Sequence, residues 1–459
     1  MVEALDEVVA GKPVSESVTA PVGCPISRQQ PKSVSARVTY YGDVLPVLQK
    51  RCQSCHRPNE LGPFSLMTYK QAVNWAADIK EFTQSRKMPP WKPTEGAPFH
   101  GERKMTEKEI EILAAWVDGG TPEGDHKDAP TPAQFADGWM LGQPDLILSP
   151  KEEMTIGASG RDLFRCFVLP TGLDEDKFVV AYEVKPGNRR VVHHTLHFLD
   201  TKRRARRLEQ REQERPKKPD EKDTGPGYTM MMGPGFFPPD GDVGGWAPGL
   251  TPHRLPADVG FYLPKGSDVV LQVHYHRTGK VEKDRTQLGL YFAKKPNVKP
   301  LQAMVIPGLF LSIPAGEENY SVRGSIWAAQ DCTLHTVTPH MHLLGKKIKI
   351  TMTPPGGAST TLVGIDQWDY NWQETYFFKE PIRVLADTRF DVEAAYDNSA
   401  KNLNNPFNPP RRVRFGEQTT HEMCFGFLGA TVENPSPIGF RLSPNGFVIR
   451  RLGLLPPAE

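Results

Sequence analysis

The apolar pattern of the chain changes its period near residue 140. Before that point the spacing is helical. "TYKQAVNWAADIKEFTQS" (residues 68–85) and "TEKEIEILAAWVDGG" (106–120) repeat apolar positions every three to four residues, and "DVLPVLQKRC" leads into them. Thr106 and Glu109 stand at the T-x-x-E spacing of a capping box, and a Gly pair closes that helix. "DHKDAPTPAQF" reads as a linker. Beyond it, short β-branched and aromatic runs such as "KFVVAYEVKPGN", "DVVLQVHYHRTGK", "KKIKITMTPPGG" and "RFDVEAAYDNS" alternate with turn residues. About 320 residues of this texture exceed one sandwich of ~100–150 residues, so two are predicted. The charged stretch "TKRRARRLEQREQERPKKPDEKD" (201–223) interrupts the strands and reads as an exposed, partly helical insertion.

The predicted organisation is therefore multidomain: a small all-α unit followed by two all-β sandwiches. The boundaries are an extension at 1–35, a helical domain at 36–125, a linker at 126–144, and β-domains at 145–305 and 306–459.

Composition changes this picture little. The chain has 459 residues, 38% hydrophobic and 24% charged, with a net charge of +2. That is an ordinary globular balance and offers no basic footprint for nucleic acid. No apolar run is long enough to span a membrane. The start, "MVEALDEVVAGKP", lacks the basic and apolar stretches of a secretory signal. Of six cysteines, Cys24, Cys166, Cys332 and Cys424 are scattered, and their pairing is open.

The remaining two form Cys52-x-x-Cys55-His56 in "RCQSCHRP", the attachment pattern of a c-type haem. Both thiols are used in thioethers, and the adjacent imidazole is placed to ligate iron. A redox dithiol would prefer a βαβ setting, and a zinc site would want a second Cys/His pair nearby. Met88 in "RKMPPW" is the candidate sixth ligand, with Met67 and Met105 as rivals; a His/Met iron suits electron transfer. The segment 36–125 resembles a small cytochrome c domain, with the "LAAWVDGG" helix as a second point of likeness. Covalent haem implies maturation outside the cytoplasm, so a periplasmic or exported protein is expected. The missing signal then suggests a truncated or re-started N-terminus. "ALDEVVAGKPVSESVTAPVGCPI" is similar to the tail of a redoxin-like domain.

Ten of the thirteen histidines lie beyond residue 190. Nine of them group as "VVHHTLHF" (His193, His194, His197), "LQVHYH" (His274, His276) and "TPHMHLL" (His340, His342), with His335 before the last and "THEMCFGF" (His421, Met423) after it. In a strand, His340 and His342 point the same way. Buried imidazoles need hydrogen-bond partners or a metal. All-histidine sites suit Zn, Cu, Fe or Ni, and a thioether such as Met423 tilts the choice toward copper.

At these motifs the chain resembles the copper type II, ascorbate-dependent monooxygenases, the family of peptidylglycine α-hydroxylating and dopamine β-monooxygenases. The likeness spans roughly residues 145–445. It implies two jelly-roll-like sandwiches with one copper on each. One copper would be held by His193, His194 and His274, and the other by the catalytic set His340, His342 and Met423. His276 is a rival to His274; His197 and His421 are spare. Adjacent His193 and His194 can both ligate only at a strand end or bulge, so a local distortion is predicted there. The resemblance implies O2 and a small organic substrate as partners, hydroxylation of a C–H bond, and an external reductant, ascorbate-like or a redox protein. Thr338 and Phe427 stand where the peptidylglycine enzymes have an arginine and a tyrosine that clamp a carboxylate, so a less acidic substrate is favoured. The haem segment is the expected electron donor. The alternative is a non-catalytic haem/copper electron-transfer or copper-binding protein on the same scaffold.

Overall fold

The computed structural model describes residues 7–15, 38–58, 60, 62–135, 138–217, 221–231, 233–236, 240–295, 298–432, 440–441 and 448–454. Cys24 and most of the 1–35 extension lie outside these residues.

The predicted fold class is overturned. The chain is mostly β, with 35% of residues in strands and 14% in helices, and its large sheets are set like the blades of a four-bladed propeller. Those sheets have seven, five, five and four strands. An all-α cytochrome domain does not stand apart at 36–125. Helices do form there, at Leu45–Arg51, Tyr69–Asn74, Ala76–Gln84 and Glu107–Asp118. They bury Leu48, Leu113 and Trp116, along with Met105, one of the rival haem ligands. The predicted capping box is present: Thr106 Oγ1 accepts from Glu109 N–H (3.2 Å) and Glu109 Oε2 from Thr106 N–H (2.8 Å). The connection between the last two of these helices is β. Glu95–Gly96 pairs antiparallel with Thr360–Ile365 at the edge of the seven-stranded sheet. Phe99 bridges to Phe378, and its ring lies in the core of the last β-lobe. A buried Arg103–Glu374 ion pair adds to this junction. The helices are therefore stitched to the β structure and do not make a domain of their own.

Strands from Leu146 to Phe292 enclose one apolar core, with Phe167, Leu199, Val269 and Leu271 from one five-stranded sheet meeting Val179, Leu263 and Leu288 from the other. We call this the N-terminal lobe. A second core joins Ile326, Ile350 and Val392 of the seven-stranded sheet to Ile306, Val337 and Leu428 of the four-stranded sheet. This is the C-terminal lobe, and Gln302–Pro307 is its first strand.

The charged insertion is more than a solvated loop. Arg204–Glu214 is a helix with Ala205 fully buried, and Arg206 pairs with the buried Asp268 at 2.6 and 2.7 Å. Cys166, Cys332 and Cys424 are buried free thiols. Among the described residues, no helix is long and apolar enough to cross a membrane.

Candidate metal centre

In the N-terminal lobe, Asp268–Tyr275 is a central strand, flanked by Leu163–Pro170 and Val192–Asp200. The register sets His274 opposite His194 and then jumps so that Tyr275 faces Val192. His193 is the extra residue, so the distortion expected from the adjacent pair is a bulge. It turns both imidazoles to the same side. His193 Nδ1 lies 3.0 Å from His194 Nδ1, which lies 3.4 Å from His274 Nδ1. The three rings offer nitrogens that all fall within 4.8 Å of one another. Donors held about 2.0–2.1 Å from one tetrahedral ion would sit about 3.3 Å apart. The spacing fits a single cation. Without one, three lone pairs or N–H groups would face each other.

The environment of His193 and His194 keeps those two rings neutral. Burial, then neighbouring histidines, pushes His193 and His194 well below the usual imidazole range. His193 Nε2 is buried with no partner among the described residues. His274 Nε2 lies 3.2 Å from Asp162 Oδ2, an ion-pair contact rather than an in-line hydrogen bond. That contact leaves Nδ1 as the ligating atom. Burial alone would raise the Asp162 carboxyl, but His274 and Thr419 outweigh it and hold it down to about 2. The spare His197 and the rival His276 stand outside this cluster. His197 bonds Thr195 and the Val243 carbonyl (2.9 and 3.1 Å), and His276 is 6.5 Å from His193 between ring centroids.

In the C-terminal lobe, the strand Cys332–His340 ends at His340, and His342 lies just past it. Their rings are 5.1 Å apart at 86°. His340 pairs with Phe425, two residues beyond Met423. Met423 is buried. Glu422 ties these parts together: its carboxylate accepts from the N–H groups of His342 (2.9 Å), Leu344 (2.6 Å) and Met423 (3.2 Å). Burial still pushes Glu422 up to about 8. The Nδ1 atoms of both histidines are committed. His340 Nδ1 bonds Gln373 Oε1 (2.6 Å), and His342 Nδ1 bonds the His421 carbonyl (3.2 Å). Gln373 Nε2 donates to the Tyr370 carbonyl (2.9 Å), which fixes its oxygen toward His340. Each Nε2 is thereby left unprotonated to ligate. Burial first lowers His340 to about 4 and His342 well below its usual range.

Sequence reasoning missed Tyr370, Gln373, Asp162 and Thr419. Tyr370 stacks on His193 (4.4 Å, 9°) and meets His342 edge-on (5.9 Å, 83°), so one ring touches both clusters. Only Glu422, between His421 and Met423, stood beside a motif that could have signalled it.

In the Cys52-x-x-Cys55-His56 turn, both thiols are free and half-buried. Burial pushes Cys52 up to about 12. His56 Nδ1 bonds the Phe64 carbonyl (3.2 Å), and its ring packs on Phe64 at 4.5 Å. Met88 is half-buried after the helix Ala76–Gln84, its N–H on the Phe82 carbonyl (3.0 Å).

Over 220 residues the chain is 23% identical to the DBH-like monooxygenase protein 1 of Gallus gallus and 24% identical to those of Homo sapiens and Mus musculus. The match covers 44% of this chain, which spans only 34–35% of the length of these curated relatives. No family model matches. Structural similarity to two crystal forms of PNGF-II is slight, with TM-scores of 0.25 and 0.27 at 11% identity, over 64% and 73% of this chain and 67% and 72% of those chains. The chain is thus similar in sequence to DBH-like monooxygenases.

Proposed function

We propose that the chain is a copper-dependent monooxygenase, an oxidoreductase that hydroxylates a C–H bond of an organic substrate using O2 and an external reductant. Two copper ions are assigned, one to His193, His194 and His274, the other to His340, His342 and Met423. The observation that carries this reading is the convergence of the three Nδ1 atoms of His193, His194 and His274, at 3.0 and 3.4 Å. The DBH-like relatives support it. When bound, copper supplies one-electron chemistry and the activation of O2. The protein's part is to hold the ligands and to orient the substrate. Gln373 and the His421 carbonyl keep the Nε2 lone pairs aimed inward. Met423 adds a soft donor suited to Cu(I).

Beside His340 lies an aromatic surface. Phe425 and Phe427 are 5.7 Å apart, each 6.4 Å from the His340 ring. Thr338 spends its hydroxyl on Thr375 (2.9 Å) and presents no cation. A substrate apolar at its reacting end fits this surface better than a carboxylate.

The reading extends to a covalent haem on Cys52 and Cys55 with His56 as ligand, serving as electron donor to the coppers. The residues fit it. Both thiols are free, and the Phe64 carbonyl fixes His56 Nδ1–H so that Nε2 can ligate. Met88 stays the candidate sixth ligand. Haem attachment implies a location outside the cytoplasm.

Metal analysis and O2 uptake test the proposal together. Two coppers per chain, with O2 consumption coupled to a hydroxylated product when ascorbate and an apolar substrate are supplied, support it. Two coppers without coupled product would instead mark a copper-binding or electron-transfer protein.

A further inference from the structure

We infer that Asp162, Thr419 and Tyr370 form a latch that holds the two histidine clusters face to face, and that Asp162 ties this latch to copper at the three-histidine cluster. The inference rests on the copper reading above. It assigns positioning residues that neither the motifs nor the relatives point to.

Asp162 directly precedes the strand Leu163–Pro170 of the N-terminal lobe. Its neighbour Phe164 stacks on His274 (4.2 Å, 13°). A single oxygen of Asp162 serves both lobes. Oδ2 lies 3.2 Å from His274 Nε2, and it also accepts from the Thr419 N–H (3.3 Å) and the Thr419 hydroxyl. Thr419 belongs to the C-terminal lobe, four residues before Met423. Its hydroxyl in turn accepts from Tyr370 OH (3.0 Å). The Tyr370 ring covers His193 and edges against His342.

Two routes therefore cross the gap between lobes. One runs from His274 through Asp162 to the Thr419 loop, and along that loop to Glu422 and Met423. The other runs from His193 through Tyr370, whose carbonyl orients Gln373, to His340. A side chain that only filled space would not hydrogen-bond into both ligand sets.

The physical link is the imidazole of His274. A cation on Nδ1 draws charge from the ring and strengthens the attraction between its Nε2 edge and the Asp162 carboxylate 3.2 Å away. Asp162 is the anchor for Thr419, so copper at the first cluster and docking of the lobes favour each other by the same factor. Closed lobes keep His193 stacked on the Tyr370 ring and His342 in edge contact with it.

The test uses the full chain loaded with copper. Copper affinity of each site is measured by chelator competition, and the copper–copper distance distribution by pulsed EPR. Asp162→Asn is expected to weaken copper about 10-fold at the three-histidine cluster, as loss of a ligand's outer partner does. Thr419→Val removes the hydroxyl at constant shape and is expected to broaden and lengthen the distance distribution while two coppers still bind. Thr419→Ser restores the hydroxyl and should restore the wild-type distribution, which a merely structural role would not require. Unchanged affinity in Asp162→Asn, or an unchanged distribution in Thr419→Val, would overturn the inference while leaving the copper assignment intact. Copper content in His194→Ala equal to that of the wild type would instead remove the copper assignment itself.

Discussion

His194 and His274 face each other across paired strands, with their Nδ1 atoms 3.4 Å apart. A bulge at His193 brings a third imidazole to the same point. This geometry makes the three histidines one unit. His274→Ala is expected to remove one copper equivalent and leave the other, read by metal analysis of the purified variant. The protein should stay folded, since Phe164 and the paired strands remain.

Gln373 is expected to matter without touching metal. Replacing it with Leu frees His340 to take the other tautomer, which would offer N–H where a lone pair is needed. Copper affinity at the methionine-bearing site should fall about 10-fold, with the three-histidine site unchanged. Competition titrations on the two sites separate these outcomes.

Glu422→Ala should destabilise the C-terminal lobe. Three backbone N–H groups lose their acceptor in a buried setting, and each such loss costs about 1–3 kcal/mol. The thermal unfolding midpoint is expected to drop by several degrees. Glu422→Gln keeps an acceptor and should recover much of the loss.

Acid sensitivity of the helical segment is expected to trace to Glu109. Burial works to raise its carboxyl, but Arg51, the Thr106 N–H and Lys50 win and lower it to about 2. The folded state thus holds its proton less tightly than the unfolded chain. Its stabilisation is complete above the ordinary carboxylate range and is lost as pH falls toward 2. Glu109→Gln should flatten the stability profile between pH 5 and pH 2, measured by thermal unfolding, and cost up to about 1 kcal/mol at neutral pH through the lost Arg51 and Lys50 ion pairs, while the capping box is kept.

The three-histidine cluster could be read from the sequence because its residues sit in short motifs. His193-His194, His340-x-His342 and the Glu-Met pair each lie at or beside a strand end, and a doubled histidine can aim both rings at one point only from a bulge or a strand end. The cytochrome-like fold misled for a related reason. The helical periods at 68–85 and 106–118 are real, but a two-residue strand at Glu95–Gly96 has no period to detect, and it ties the helices to a sheet more than 260 residues away. Asp162, Tyr370 and Thr419 were invisible because each is an ordinary residue in a polar connection. Their roles exist only once two lobes from distant parts of the chain have docked.

The central claim is that two separate copper sites form, one of imidazoles alone and one completed by a thioether. X-ray absorption of the Cu(I) protein, with copper counted per chain, tests it most directly. The account predicts two coppers and a sulfur scatterer that disappears in Met423→Ile while the imidazole signal stays. A single copper, or a spectrum without sulfur in the wild type, would contradict it.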